Sequence, residues 1–284
     1  MFLSVIIPTF KRPEALSVCL TNLTSEFQKL SLDDFEVIVT DDAPGDAQRD
    51  SLRRDFPWVH HNLAPQKGPA CNRNSGAKRA RGEWLVFLDD DCIPQPSLLS
   101  AYMGAIHKNP DYSVFEGSTL PERRKIRMDE DAPINDRGGY LWSCNFAIKR
   151  ALFWEVGGFC ELYPYACMED VDFREQLKKR DIKFLFVPQA SVIHPWRSFQ
   201  SDGNYLKAHL ISHTIFFDRY PLLRPTFSDT CRIIFRRWAQ GLLIEAPRLK
   251  FRGFWRYFGR QLKLTLFQFL HGSGFTRKQP TDRF

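Results

Sequence analysis

The chain has 284 residues, 43% of them hydrophobic and 26% charged, which points to a globular rather than a disordered chain and allows one large domain or two joined lobes. Its net charge of +7 is unevenly held: residues 1–195 carry 24 basic and 28 acidic side chains (−4), residues 196–284 carry 16 and 5 (+11). Front and tail therefore need not meet the same partner.

In chain order, LSVIIP at the start reads as a short buried strand, because its β-branched run is too brief for a helix. The opening MFLSVIIPTF is too short to cross a bilayer, is interrupted by Pro8 and lacks the basic start of a secretory leader. Pro13 and Glu14 suit the first turn of a helix over roughly 13–28. FEVIVT (35–40) is a second strand that runs into Asp41 and Asp42, and a third extended piece is expected near 58–62. KGPACNRNSGAKRARG begins as a loop and becomes a helix through Ala80; EWLVFL (83–88) is a strand that stops at Asp89-Asp90-Asp91. PSLLSAYMGAIHKNP has helical spacing. Residues 119–141 read as an irregular connection, YLWSCNFAI as a strand, 150–156 as a short helix, and MEDVDFREQLKKR as a helix from Glu169. IKFLFVP and ASVIHP read as two short extended pieces, and beyond Trp196 the pattern is helical and aromatic. Alternating strands and helices predict an α/β fold with a mostly parallel sheet, in which ligands gather beyond the carboxyl ends of the strands. Three strand ends carry Pro8-Thr9, Asp41-Asp42 and the acid triplet.

Adjacent carboxylates repel, and burying part of that charge is costly without compensation. A divalent cation bridging to a diphosphate would relieve the repulsion; a solvated charged turn before Pro94 is the plainer alternative. His194, between an apolar run and Pro195, can add an imidazole to such a site, or can simply satisfy a local hydrogen bond. The seven cysteines, odd in number and without a Cys-x-x-Cys pair, read as isolated thiols of a reducing compartment. A cytoplasmic protein, soluble or peripheral at the membrane face, is expected.

VIIPTFKRP (5–13), VTDDAPGD (39–46), CNRNSGAKRARGEWLVFLDDD (71–91), GGF (157–159) and MEDVDF (168–173), in this order, resemble a family 2 glycosyltransferase of the inverting GT-A type over residues 3–195. The resemblance implies a GT-A nucleotide-binding fold with helices on both sheet faces, here with a helical C-terminal extension. It also implies a nucleotide-sugar donor, commonly UDP-linked, and Mn²⁺ or Mg²⁺. It places Pro8, Thr9, Asp41, Asp42, Arg73, Asn74 and Asp89 at the donor, with Asp42 receiving hydrogen bonds from the nucleobase, Arg73 contacting the donor or stabilising the acid-rich region, and Asn74 orienting the loop. Beside them, Lys67 can approach phosphate or be simply solvated, Asp90 can face the nucleotide sugar or brace the loop, and Asn145 can hold the donor sugar or shape its pocket. Asp89, Asp91 and His194 would hold the metal. Asp170 matches the general base, with Glu169 as a competitor, and Trp142, Gly158 and Phe159 would face the acceptor. A metal-bound carboxylate makes a poor base, which favours Asp170 over Asp90. Cys160 departs from the family's usual acidic or polar residue.

These readings divide the chain into a nucleotide-sugar-binding half (1–118), an acceptor-binding and catalytic half (119–195) and a basic aromatic helical extension (196–284). The extension holds 12 Phe, 3 Trp and 3 Tyr, which suits an anionic membrane, a second subunit or internal packing. A saccharide or lipid-linked saccharide is the expected acceptor. The alternatives are a metal-dependent nucleotidyltransferase and a noncatalytic membrane or nucleic-acid interaction protein. No nucleic-acid partner is expected, since the front part is acidic and holds no recognisable module. Neither a Gly-x-Gly-x-x-Gly nor a Gly-x-x-x-x-Gly-Lys-Ser/Thr loop is present.

Overall fold

The computed structural model describes residues 2–43, 52–198 and 203–272. The chain forms two compact units, residues 1–122 with 132–195, and residues 123–131 with 196–284.

The first unit contains β1 (Leu3–Thr9), α1 (Pro13–Thr21), α2 (Ser25–Gln28), β2 (Phe35–Asp41), β3 (His60–Leu63), α3 (Pro69–Arg79), β4 (Trp84–Leu88), β5 (Ile93–Pro94), α4 (Leu98–Lys108) and β6 (Val114–Pro121). After β7 (Glu130–Asp131), which belongs to the second unit, it resumes with β8 (Asn145–Lys149), α5 (Arg150–Glu155), α6 (Glu169–Lys178) and β9 (Leu185–His194). One eight-stranded sheet runs β3-β2-β1-β4-β8-β6-β9-β5. The β3-β2-β1-β4 block is parallel, as is β6-β9, while β8 pairs antiparallel with both β4 and β6.

Period-two alternation sorts the strands onto two cores. Leu3, Val5 and Ile7 of β1, with Val86 and Leu88 of β4, face α1 and α4. Ile6, Ile38, Leu85 and Phe87 face the opposite way, toward α3, α5 and α6. Both faces of the strands are thus apolar, as a sheet covered on both sides requires. The expected α/β layering, with helices on both faces, is present.

Local departures have local causes. The helix expected over 13–28 breaks after Thr21, where the Asn22 side chain donates to the Val18 carbonyl at 2.8 Å and competes with helix continuation. The strand expected across YLWSCNFAI begins only at Asn145. The two pieces expected at 182–195 are one strand, whose pairing with β6 slips between Gly117 and Ser118 near Pro188, a residue with no amide to donate. Within the irregular connection, buried Glu116 accepts from the amides of Gly139 and Leu141 and from Asn135 Nδ2, which ties residues 135–141 to β6.

In the second unit β7 pairs antiparallel with β10 (Arg197–Ser198). Three long helices follow: α7 (Gly203–Arg219), α8 (Phe227–Ala239) and, after a π-helical stretch at Gln240–Glu245 and a turn at Ala246–Arg248, α9 (Phe254–Gly272). Thr226 caps α8 reciprocally with Asp229. Met128, Ala246, Leu249 and Tyr257 form a small core. Parts of the expected extension, residues 199–202 and 273–284, lie outside the described residues. Among the described residues no helix is long and apolar enough to cross a membrane.

Candidate functional site

Because β2, β1 and β4 are parallel neighbours, their carboxyl ends open on one edge, where the strand-end residues meet. Thr9 pairs with Asp41 in register, and its hydroxyl donates to Asp90 Oδ2 at 2.8 Å. Arg12, just before α1, donates to Asp90 Oδ1 at 3.0 Å and to Asp91 Oδ2 at 3.2 Å. Burial pushes the Asp90 carboxyl up to about 6, with Arg12 and Thr9 opposing and the flanking acids Asp91 and Asp89 assisting. Asp90 is thus committed to the protein on both oxygens.

Asp42 accepts from the amides of Gln66 (2.9 Å) and Gly68 (3.1 Å), and so shapes the loop that carries exposed Lys67. Burial raises its carboxyl, those two amides oppose the rise, and Asp41 adds to it. Asp41 accepts from the Ala43 amide at 2.8 Å. Pro8 is buried within β1. Pro44–Asp46, the end of the acidic motif, lie outside the described residues.

The two acid clusters meet at Arg73. Buried on α3, its Nη2 donates to Asp89 Oδ1 at 2.6 Å and its Nη1 to Glu169 Oε1 at 3.1 Å. Burial alone would lower the guanidinium pKa; Asp89 and Glu169 outweigh it and raise the pKa instead. Its ring-face contact is Phe159, 5.7 Å away. Burial, and next the charge of Asp170, push Glu169 up to about 7 against the pull of Arg73. Asp170 is also raised, by burial first, while Arg73 and the amides of Val171 and Ser143 hold it back. Glu169 is buried and Asp170 half-buried, so Asp170 is the more exposed residue of the two. Asp172, the third acid of the helix start, accepts from Tyr163 and Gln176 inside the unit.

His194 ends β9 with Nδ1 2.8 Å from the Pro195 carbonyl and Nε2 3.5 Å from Asp91 Oδ1. A carbonyl only accepts, so Nδ1 bears a proton there, and Nε2 is the ring nitrogen turned toward Asp91. Ligand atoms of Asp91, Cys92 and His194 lie within 4.8 Å of one another, although the Cys92 thiol donates to the Cys144 carbonyl. Carboxylate oxygens with one fixed imidazole fit Mn²⁺ or Mg²⁺, with Asp91 and His194 the prepared pair. Asp89 reaches the same end of β4 with one oxygen held by Arg73.

Three of the expected residues serve the scaffold. Asn74 donates to the Phe159 carbonyl (2.8 Å) and Glu161 Oε1 (2.9 Å) and accepts from the Phe159 amide (3.0 Å), so α3 grips the Gly157-Gly158-Phe159 loop. Both glycines have positive φ, and a Cβ on Gly158 would meet Asn74 Oδ1 at 2.9 Å. Phe159, expected on the acceptor side, is 1% exposed and packs among Phe87, Phe146, Phe153 and Phe173, out of reach of an acceptor. Asn145, expected near the donor sugar, is a buried splint: it accepts from the Tyr102 hydroxyl at 2.7 Å and donates to the Ser118 and Ala190 carbonyls at 2.8 and 2.9 Å. Trp142 is half-buried and stacked on exposed Tyr140 at 5.3 Å, and the Ser143 amide that follows it in the chain holds Asp170. Sequence reasoning passed over Arg12, which stood inside a quoted motif, and Glu116, Tyr102 and Glu161, which stood in none.

With this geometry in view, the profile of glycosyl transferase family 2 matches residues 4–157, more than half the chain. The chain belongs to glycosyl transferase family 2. An uncharacterized glycosyltransferase of Haemophilus influenzae is 29% identical over 185 residues, covering 60% of this chain and 60% of the relative's length. Residues 1–349 of S. aureus TarS in complex with UDP-GlcNAc superpose with a TM-score of 0.56 at 18% identity, covering 76% of this chain and 67% of that segment. The mannosyltransferase PcManGT of Pyrobaculum calidifontis, in complex with GDP-Man and Mn²⁺, gives 0.55 at 18% identity over 76% and 64%. At that identity the two structures establish the GT-A fold of this family 2 transferase.

Proposed function

We propose that this family 2 glycosyltransferase moves a sugar from a UDP-linked donor to a hydroxyl of a saccharide or lipid-linked saccharide, with inversion, in surface polysaccharide or glycoconjugate synthesis at the cytoplasmic face of the membrane. The observation that carries the reading is the buried Arg73 fork, which joins the acid end of β4 to the acidic start of α6. The UDP-GlcNAc bound by TarS and the GDP-Man and Mn²⁺ bound by PcManGT support a nucleotide-sugar donor and a divalent cation. Asp89, Asp91 and His194 would hold that cation, which offsets the charge growing on a departing diphosphate.

The remaining chemistry belongs to this chain's own residues. Asp42 and the Gln66–Gly68 loop border the nucleoside, with Lys67 free to approach phosphate. Asp170 takes the proton of the attacking acceptor hydroxyl. Burial raises its pKa, which strengthens it as a base, while the Arg73 guanidinium opposes the rise. Glu169, buried against Arg73, positions the fork rather than meeting the acceptor. The stacked pair Tyr140 and Trp142, just before Ser143 in the chain, offers a flat aromatic face to a sugar ring. Family membership sets aside the nucleotidyltransferase and noncatalytic alternatives.

A screen of sugar nucleotides with product detection, run on wild type and Asp170→Asn, tests the reading. The variant should bind UDP as wild type does, with affinity strengthened by Mn²⁺, while transfer drops by about 10²–10⁴-fold. Transfer at the wild-type rate would remove Asp170 from the role.

A further inference from the structure

The second unit carries an apolar ridge that its own small core leaves uncovered. Phe251, Phe254, Trp255 and Phe258 form a continuous ring series, with centroids 5.7 Å (Phe251–Phe254), 5.2 Å (Phe254–Trp255) and 5.8 Å (Phe254–Phe258) apart. Phe254 rests on the core, whereas Trp255 is 80% and Phe251 59% exposed. Just before them in the chain, Leu243 and Ile244 are 75% and 61% exposed. A water-facing Trp beside a water-facing Phe is unfavourable unless something apolar covers them.

Charge identifies the covering partner. Residues 246–263 hold six cations and no acid. Arg260 is engaged with Asp131, and Arg256 lies 3.8 Å from Asp129. Arg248, Lys250 and Arg252 are exposed and form no ion pair among the described residues. The nearby acids are already occupied, Glu245 by Lys125 at 2.9 Å and Asp129 by Arg127 at 2.8 Å. Cations interleaved with exposed aromatics at one turn, without competing acids, match the interface of an anionic bilayer: rings enter the acyl boundary and guanidinium groups remain at headgroup level. A second copy of this chain would bring the same cations face to face.

We propose that the 243–258 ridge is a docking surface for an anionic lipid bilayer, with Phe251 and Trp255 inserting and Arg248, Lys250 and Arg252 meeting the headgroups. This deepens the reading of a transferase serving a membrane-borne acceptor, but binding is measured without turnover, so the two can fail separately. The full-length protein is sedimented with vesicles of phosphatidylcholine, with and without phosphatidylglycerol. Wild type should partition to the anionic vesicles only and be released by about 0.5 M salt, which shortens the screening length to a few ångströms. Lys250→Gln with Arg252→Gln should weaken binding by about fivefold per cation. Trp255→Ser with Phe251→Ser should abolish binding at any salt.

Both double variants alter exposed side chains, and their transfer to a soluble acceptor should stay at the wild-type rate. Wild type that ignores anionic vesicles, binds neutral ones equally, or is unaffected by either double variant would overturn the proposal. So would sedimentation showing a dimer that Trp255→Ser dissolves while vesicle binding is absent. Loss of vesicle binding with transfer intact bears only on docking; failure to transfer with vesicle binding intact bears only on the catalytic reading.

Discussion

Replacing Arg73 with methionine keeps much of the side-chain volume on α3 and removes the charge that joins Asp89 to Glu169. In wild type these pairs measure 2.6 and 3.1 Å, and the guanidinium is buried. Removing one partner of a buried ion pair costs about 3–5 kcal/mol, because the other charge is left uncompensated. Two features pull this site toward the lower end. The Asp89 side chain is 22% exposed and can rehydrate, and Glu169 sits at about 7 and can relax by taking up a proton. We therefore expect a loss of about 3 kcal/mol. The assay is hydrogen exchange at β1 and β4 amides as a function of urea, which reads the first unit alone. Adding Glu169→Gln to the variant removes one orphaned carboxylate and should recover about 1–2 kcal/mol. A loss under about 1 kcal/mol, or a double variant no more stable than the single one, would refute the account of Arg73 as the compensating charge.

Two further outcomes follow from the same site. A carboxyl raised from 4.5 to about 7 favours the folded state while protonated, so its contribution is complete below pH 4.5 and is lost as pH rises through 7. Glu169→Gln should flatten that part of the stability profile, and an unchanged slope between pH 4.5 and 7 would contradict the raised value. Asn74→Ala should cost about 2–3 kcal/mol by releasing three hydrogen bonds around Phe159 and Glu161, and should lower transfer more than donor affinity; equal losses in both would mean that the loop grip does not separate the two sides.

Much of the fold was legible because strand periodicity and strand-end chemistry are local. The runs at 3–9, 35–41 and 84–88 announce themselves through β-branched and aromatic residues, and the acids follow directly. The break at Asn22 was not visible, since it depends on a side chain bonding back to Val18 rather than on any Gly or Pro. Nor did the sequence reveal that Asn145 and Phe159 face inward. An asparagine reads as polar until Tyr102, Ser118 and Ala190 converge on it from α4, β6 and β9. A phenylalanine after two glycines reads as loop until four other rings close around it. Arg73 was legible as a partner of the acid-rich region, but its reach to Glu169 was not: Asp89 and Glu169 are 80 positions apart in the sequence, and only the packing of α3 against the sheet brings both to one guanidinium.

The hold of Asn74 on the Gly157–Glu161 turn also limits how such an enzyme can be redesigned. Both backbone groups of Phe159 are tied to it, and Gly158 has no room for a side chain on that side, so altering the turn would disturb the helix that carries Arg73. Freedom to vary begins one position later, at Leu162, which is 63% exposed. A library aimed at new acceptors is therefore better drawn from the exposed Leu162, Pro164 and Ala166 than from the glycine pair or from buried Tyr163, whose hydroxyl holds Asp172.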